Sequence, residues 1–250
     1  PCEHTAPIKT HISYSDTKEP SILTNLRLRD YSRIVFFTGA GMSAESGIPT
    51  YRGQGGIWKQ YNYQDYACQR AFERNPEQVW DFHDVRRKKV AQCEPNLGHK
   101  LIADLQRERG PAVSIITQNI DGLHQRAGAT DVVELHGSLW RVRCDAEGII
   151  RPDFSVPISP RRCDCGAYFR PDIVWFEDSL DPRNLDRAAA LLSGCDLLVS
   201  VGTSAVVYPA AELPKIAMQR GAMTNEVNLE DTPVSALYNV LLRGKASDVL

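Results

Sequence analysis

The chain has 250 residues, of which 42% are hydrophobic and 24% are charged, and its formal net charge is -2. This length and composition are sufficient to bury a full core, which indicates one large domain with a small appendage. They argue against a membrane-spanning protein, because no run of about eighteen apolar residues occurs, and against direct nucleic-acid binding, because there is no net positive charge.

Seven cysteines, an odd number, are spread along the chain. This usage favours a reducing compartment over a disulfide framework, so we expect an intracellular protein. The sequence does not distinguish cytoplasm, nucleus and mitochondrion, and it leaves the oligomeric state open. Residues 1–20 are polar, lack periodicity and end at Pro20, which predicts an N-terminal tail.

Short apolar segments predict buried parallel strands. They are residues 33–37, 113–117, 196–201, 225–229 and 239–242. Helical patterns lie between them at 97–109 and 183–193, and each of these ends at a glycine. The alternation predicts an α/β fold with a Rossmann-like parallel sheet and helices on both faces. Such sheets bind ligands at the carboxyl ends of their strands.

The strand-helix alternation breaks at about residues 140–172, where arginine, proline, aspartate and three cysteines replace it. We predict a small inserted module of the zinc-ribbon type over residues 140–172. The Rossmann-like domain then comprises residues 21–139 and 173–250. Part of residues 51–95 is a further candidate for the small domain.

A glycine-rich turn follows the first predicted strand. Gly39, Gly41 and Ala44 fit the G-x-G-x-x-G/A fingerprint, in which glycines let the backbone approach a pyrophosphate. The triplet alone also fits a tight strand-to-helix turn with nothing bound. A dehydrogenase would carry an acid at the end of its second strand about 20 residues on, whereas this chain has a second glycine-rich loop over 51–58. A dinucleotide must therefore be held differently.

Six segments resemble, in order and spacing, the signature blocks of the sirtuin family. They are GAGMSAESGIPTYRG (39–53), TQNIDGLHQRAG (117–128), ELHGSL (134–139), RPDIVWF (170–176), VGTSAVVYPAA (201–211) and EVNLE (226–230). The chain is most similar to class III, which includes sirtuins that remove negatively charged acyl groups. The resemblance implies an NAD-dependent protein-lysine deacylase that acts on acyl-lysine proteins or peptides and releases nicotinamide and O-acyl-ADP-ribose. It places NAD in a cleft between a Rossmann-like domain and a small zinc-bearing domain.

The resemblance also assigns the catalytic and cofactor residues. His136 is the expected catalytic base, a role that suits a group whose unperturbed pKa lies near neutrality. Asn119 is the other expected catalytic residue, in the block that lines the nicotinamide and ribose pocket. The family usually has phenylalanine where this chain has Tyr51. The expected NAD contacts are Gly39, Ala40, Gly41, Ala44, Glu45, Tyr51, Arg52, Gln118, Asn119, Asp121, Gly202, Thr203, Ser204, Asn228, Glu230 and Ala246.

Substrate contacts are expected at the strand formed by Val174, Trp175 and Phe176, where the resemblance places the peptide as an added β-strand. The family next has glycine, whereas this chain has Glu177. That difference affects the affinity for peptides or the preference among them, and not the chemistry. Ala67 matches the small residue that makes the acyl pockets of class III sirtuins roomy.

A helix predicted to begin after Asn75 carries the most informative difference. His83 and Arg86 share a helical face with apolar residues, so a cation interrupts an apolar stripe. In desuccinylating and demalonylating sirtuins a tyrosine and an arginine, three residues apart on this helix, bind the distal carboxylate of the acyl group. Arg86 matches that arginine, and His83 stands in place of the tyrosine. The alternative is that residues 86–89 form only a solvated basic surface.

The cysteines of the inserted module form a C-x2-E-x15-C-x-C pattern. Sirtuins usually hold a structural zinc with two C-x2-C pairs, and zinc prefers four ligands. Cys144, Cys163 and Cys165 are the expected ligands here, and Glu147 is a candidate for the fourth. The sequence therefore leaves zinc binding open.

Three other functions remain alternatives to deacylation of acidic acyl groups. They are deacetylation with an ordinary acetyl preference, ADP-ribosyl transfer to protein, and NAD binding without catalysis. The presence of His136 argues against the last of these.

Overall fold

The computed structural model describes residues 28–51 and 56–250. The predicted N-terminal tail and the predicted cofactor residue Arg52 lie outside the described residues. Within these ranges no helix is long and apolar enough to cross a membrane. The described strands are β1 (Ile34–Thr38), β2 (Val113–Thr117), β3 (Val132–Glu134), β4 (Gly137–Cys144), β5 (Ile149–Pro152), β6 (Arg170–Ile173), β7 (Leu197–Val201), β8 (Met223–Asn228) and β9 (Val240–Arg243).

Six of these strands form one parallel sheet in the order β3-β2-β1-β7-β8-β9. The five strands predicted from apolar runs are all present in this sheet, with ends shifted by two residues or fewer. The sequence reading missed β3, because three residues are too few to form a recognisable apolar run. The predicted Rossmann-like α/β fold is confirmed.

The α-helices are α1 (Ala40–Ala44), α2 (Ile57–Gln60), α3 (Tyr63–Tyr66), α4 (Gln69–Arg74), α5 (Pro76–Ala91), α6 (Leu97–Arg109), α7 (Leu123–Arg126), α8 (Pro182–Gly194), α9 (Pro214–Gln219) and α10 (Ala246–Val249). The predicted helix 97–109 matches α6, and the predicted helix 183–193 is one residue longer at each end as α8. Side chains cap the three long helices, because Asn75, Asn96 and Asp181 each accept a hydrogen bond from a backbone N–H of the first turn.

The core lies on both faces of the parallel sheet. Every residue of β1, β2 and β7 is buried, which is why these strands are mainly apolar rather than alternating. Ile102 of α6 packs in the cluster on one face, and Leu192 of α8 packs in the cluster on the other. Helices on both faces leave the carboxyl ends of the strands as the open edge.

The second sheet is antiparallel, with the strand order β5-β4-β6. It occupies the segment where the strand-helix alternation breaks. Helix α5 packs against it through the fully buried Trp80, which contacts a cluster containing Val142 and Phe169. The fully buried Arg87 of α5 donates hydrogen bonds to the Leu139 carbonyl oxygen at 2.7 Å and to the Asp153 carboxylate at 2.6 Å. The helix that carries His83 and Arg86 is therefore held firmly to the small sheet.

Candidate active site

A cavity of about 870 Å³ opens at the carboxyl ends of the parallel strands, facing residues 173–178, which follow β6. It brings together the predicted catalytic, cofactor and substrate residues that the structure describes, with the exception of Asp121. Those lining it are Gly39, Ala40, Gly41, Ala44, Glu45, Tyr51, Ala67, His83, Arg86, Gln118, Asn119, His136, Val174, Trp175, Phe176, Gly202, Thr203, Ser204, Asn228, Glu230 and Ala246.

The glycine-rich turn after β1 packs tightly against the loop after β7. The backbone N–H of Gly41 donates to the Gly202 carbonyl oxygen at 2.8 Å, and that of Gly39 donates to the Val201 carbonyl oxygen at 3.0 Å. A Cβ added at Gly41 would lie only 2.7 Å from the Cα of Gly202. The glycines are therefore required for contact between two loops of the protein itself, in addition to any approach of a ligand.

His136 lies between β3 and β4 with its ring held in one orientation. Its Nδ1 lies 2.9 Å from the carbonyl oxygen of Gln118. Because a carbonyl only accepts hydrogen bonds, Nδ1 carries the proton and Nε2 keeps its lone pair. Burial lowers the pKa of His136, and the bond to Gln118 opposes this only in part. The ring is therefore neutral at pH 7 and able to accept a proton.

The backbone on either side of His136 is fixed to the small sheet. Its carbonyl oxygen accepts a hydrogen bond from Val174 at 2.9 Å. Gly137 follows with a φ of +76°, and a Cβ at this position would overlap the carbonyl oxygen of Asp172. A glycine is required here because two strands cross without space for a side chain.

Asn119 heads a buried chain of hydrogen bonds behind the cavity. Its Nδ2 donates to the Gly39 carbonyl oxygen at 2.9 Å and to the Ser43 hydroxyl at 3.1 Å, and that hydroxyl donates to the Asp121 carboxylate at 2.7 Å. Burial raises the pKa of Asp121, and bonds from Leu123 and Ser43 oppose this. Asp121, which was predicted to contact NAD, is not among the residues that line the cavity. It is linked to Asn119 through the hydroxyl of Ser43, a residue that the sequence reading did not single out.

The loops at the other end of the cavity are joined by polar side chains. Gln118 Nε2 donates to the Thr203 hydroxyl at 3.0 Å, and Asn228 Nδ2 donates to the Thr203 carbonyl oxygen at 2.8 Å. The Glu45 carboxylate accepts hydrogen bonds from the backbone and the hydroxyl of Ser247. These bonds bring predicted NAD contacts that follow β2, β7 and β8 together in the cavity lining.

Arg86 projects into the cavity, whereas its neighbours in the basic run do not. Arg87 is fully buried and binds the small sheet, and Lys88 and Lys89 are exposed. Arg86 donates a hydrogen bond to the hydroxyl of Tyr51, and its Cζ lies 4.8 Å from the centroid of that ring. Within residues 28–51 and 56–250 no carboxylate forms an ion pair with Arg86. The solvated-surface interpretation therefore does not describe Arg86.

His83 is fully buried beside Arg86 and packs against Trp175. Its Nε2 accepts a hydrogen bond from Trp175 Nε1 at 3.3 Å, and the two rings are stacked with centroids 6.0 Å apart. Burial and the charge of Arg86 lower the pKa of His83 well below its ordinary value, and the Tyr66 carbonyl offsets this only in part. His83 is therefore neutral at pH 7. Its Nδ1 has no hydrogen bond of normal geometry within the described chain.

Residues 174–176 follow β6 along the cavity wall. Their three backbone N–H groups donate to the His136 carbonyl, the Asp178 carboxylate and the Ala67 carbonyl, respectively. A peptide that adds to residues 174–176 must therefore donate its own N–H groups to their backbone carbonyl oxygens. Glu177 comes next with a φ of +78°, a region that favours glycine, and its carboxylate lies 3.3 Å from the guanidinium of Arg70.

Three thiols converge at the tip of the small sheet. The Sγ atoms of Cys144, Cys163 and Cys165 all lie within 4.8 Å of one another, and those of Cys144 and Cys165 are 3.6 Å apart. Such spacing suits a zinc ion with Zn–S bonds of about 2.3 Å. Glu147 is exposed and outside this group, although its backbone N–H reaches the Cys144 thiol. The triad suggests zinc, with a fourth position that no His, Asp or Glu of the described residues fills.

Trp58 and Tyr208 also line the cavity, and sequence reasoning did not select them. The Trp58 ring lies 5.8 Å from that of Tyr51 and 5.5 Å from that of Phe176. Its position at the end of the second glycine-rich loop was the available signal. Trp58 therefore joins the cofactor loop to the predicted peptide strand.

Comparison with known proteins assigns the family. The Sir2 family profile matches residues 39–209, which is more than half of the chain. The chain belongs to the Sir2 family. A Sir2-family relative from Aquifex aeolicus, named NAD-dependent protein deacylase, is 46% identical over 86% of this chain and 90% of its own length. The mitochondrial NAD-dependent protein deacylase sirtuin-5 of Canis lupus familiaris is 41% identical over 87% of this chain and 79% of its own.

Solved Sir2 structures share the fold and the cavity-forming segments. A crystal structure of a Sir2 homologue in complex with NAD superposes with a TM-score of 0.84 at 41% identity, covering 94% of this chain and 93% of the homologue. A Sir2 complex with a deacetylated peptide and 3′-O-acetyl ADP-ribose has a TM-score of 0.80 at 34% identity, covering 91% and 95% of the two chains. The similarity therefore extends through both sheets.

Proposed function

We propose that this Sir2-family chain is an NAD-dependent protein deacylase that removes acyl groups ending in a carboxylate, such as succinyl, malonyl and glutaryl groups, from lysine. The enzyme class, NAD-dependent protein deacylase, rests on the family and on relatives of that name that align over most of their length. The acyl preference rests on the residues of this cavity.

The cavity supports NAD cleavage through the placement of His136. In the proposed reaction the acyl oxygen of the modified lysine attacks the anomeric carbon of the nicotinamide ribose, and nicotinamide leaves. A ribose hydroxyl then gives its proton to Nε2 of His136 as it attacks the resulting imidate. The Gln118 carbonyl oxygen lies 2.9 Å from Nδ1 and accepts a hydrogen bond from its N–H, so Nε2 is the free base. Asn119, fixed by Gly39 and Ser43, lines the same cavity.

The proposed acyl preference rests on the position of Arg86 in the cavity. Arg86 places a permanent positive charge in a cavity whose lining also includes the apolar side chains of Ala67, Trp175 and Phe176. A guanidinium that lacks a carboxylate partner in such a setting is stabilised by a ligand that supplies one. A succinyl or malonyl group carries its carboxylate at the far end of the chain, whereas an acetyl group offers only a methyl group.

A panel of acyl peptides tests the proposal. We expect kcat/KM for a succinyl-lysine peptide to exceed that for the matching acetyl-lysine peptide. The Arg86→Met variant keeps the apolar stem and removes the charge; loss of a buried charge partner costs about 2–5 kcal/mol, so the succinyl-to-acetyl ratio should fall roughly thirty-fold or more. Lys88→Met, an exposed neighbour on the same helix, is the matched control and should leave the ratio unchanged.

Other activities of this site give different products. Equal or better turnover of the acetyl peptide would indicate an ordinary deacetylase and contradict the acyl preference. Labelled NAD whose ADP-ribose appears on protein, rather than on the acyl group, would indicate ADP-ribosyl transfer. NAD binding without nicotinamide release would indicate a non-catalytic module, and the free Nε2 of His136 argues against that outcome.

A further inference from the structure

The hydroxyl of Tyr51 meets the same cation that is proposed to hold the acyl carboxylate. Arg86 is the donor in their hydrogen bond, so the phenol oxygen is the acceptor and the phenol hydrogen is still available. Within the described chain the Tyr51 hydroxyl donates to no other group. A carboxylate that approaches Arg86 in the cavity therefore meets a free O–H donor beside the guanidinium.

We infer that Tyr51 is a specificity-determining residue of the acyl site, whose O–H donates a hydrogen bond to the distal carboxylate held by Arg86. This inference rests on the proposed preference for acidic acyl groups and names a second recognition group for it. Tyr51 is thus assigned a contact with the acyl substrate, in addition to its place in the cofactor loop.

The surrounding side chains leave this role to Tyr51. Of the tyrosines whose rings lie near Phe82 or Trp58, Tyr61, Tyr63 and Tyr66 do not line the cavity, whereas Tyr51 does. His83 is a poorer candidate because it is fully buried and its Nε2 is taken by Trp175 at 3.3 Å. Its other ring nitrogen, Nδ1, is itself buried and is therefore not exposed to a ligand in the cavity.

A purely structural role for the Tyr51 hydroxyl makes a different prediction. If the bond to Arg86 only anchors the loop that contains Tyr51, its loss would weaken the turnover of every acyl peptide by the same factor. If the hydroxyl binds the carboxylate, its loss would weaken turnover only of peptides that carry the charge. The ratio between a charged peptide and its neutral isostere separates the two roles, because any effect on NAD binding is common to both peptides.

The test compares kcat/KM for a succinyl-lysine peptide with that for the same peptide carrying the terminal amide of the succinyl group, at saturating NAD. In Tyr51→Phe we expect the acid-to-amide ratio to fall about tenfold, the loss expected for one hydrogen bond to a charged group. Tyr63→Phe removes a hydroxyl from the same aromatic cluster outside the cavity and should leave the ratio unchanged.

The outcomes distinguish this inference from the proposed function. An unchanged ratio in Tyr51→Phe, together with a collapsed ratio in Arg86→Met, would overturn the role of Tyr51 and leave the acyl preference standing. An equal loss for both peptides in Tyr51→Phe would identify a loop anchor and also overturn it. If the unaltered chain shows no preference for the acid over the amide, and Arg86→Met changes nothing, both the acyl preference and the role of Tyr51 are wrong.

Discussion

Replacing Gly137 with alanine tests how the catalytic histidine is held. Gly137 has a φ of +76°, and a left-handed conformation costs a residue with a Cβ about 1–2 kcal/mol. The added Cβ also overlaps the carbonyl oxygen of Asp172 and lies 3.0 Å from the Cα of Ile173, both backbone atoms of β6. Forcing two strands apart adds about 1–3 kcal/mol. We therefore expect unfolding to become easier by about 3 kcal/mol, which lowers Tm by about 6–12 °C in a chain of this size.

Gly221→Ala is the matched control, because Gly221 has a φ of +80° and no atom of the described chain lies within 4 Å of its added Cβ. It carries the conformational cost without the overlap. Thermal unfolding followed by circular dichroism should show a clearly smaller decrease in Tm for this control. Because Gly137 adjoins His136, nicotinamide release by Gly137→Ala should also fall at temperatures where the protein remains folded. Equal decreases in Tm for the two variants would refute the steric argument.

Three further predictions follow from the site. The pKa of His136 is lowered from its ordinary value of 6.5, so the ring is a neutral base above that lowered pKa. As the pH is decreased, kcat/KM should begin to fall only below pH 6.5. An acid-side decrease that begins above pH 7 would contradict this assignment. Elemental analysis should find about one zinc per chain, and the Cys163→Ser variant should lose it. If the unaltered chain contains no zinc and unfolds at the same temperature as Cys163→Ser, the zinc site is contradicted. Glu177→Gly should raise Tm slightly. The left-handed conformation costs Glu177 about 1–2 kcal/mol, and removing that cost outweighs the loss of its exposed ion pair with Arg70. A decrease in Tm would show that Glu177 has a stabilising role.

Apolar runs were sufficient to locate the main strands of the sheet. Strands buried on both faces need continuous apolar residues, so β1, β2 and β7 stand out in the sequence. The short β3 does not, because its place depends on pairing with β2 rather than on its own composition. Packing of α5 against the small sheet through Trp80 and Arg87 supports our proposal that part of residues 51–95 belongs with the module at 140–172.

The resemblance predicted which residues gather at the cavity, but not how each one contributes. Asp121 does not line the cavity, because the hydroxyl of Ser43 lies between its carboxylate and the side-chain amide of Asn119. Tyr51 and Arg86 are 35 positions apart in the sequence, so no local sequence pattern could predict that they are in contact. Similarly, C-x2-E-x15-C-x-C did not reveal that Glu147 faces solvent while the three thiols converge.

The products formed from NAD and a succinyl-lysine peptide test the central claim most directly. Mass spectrometry of the reaction mixture should show free lysine peptide, nicotinamide and O-succinyl-ADP-ribose, formed faster than the corresponding products from the acetyl peptide. Faster turnover of the acetyl peptide would contradict the assignment of Arg86 as the group that selects the acyl chain. Nicotinamide release that leaves the succinyl group on lysine would contradict the removal of that group itself.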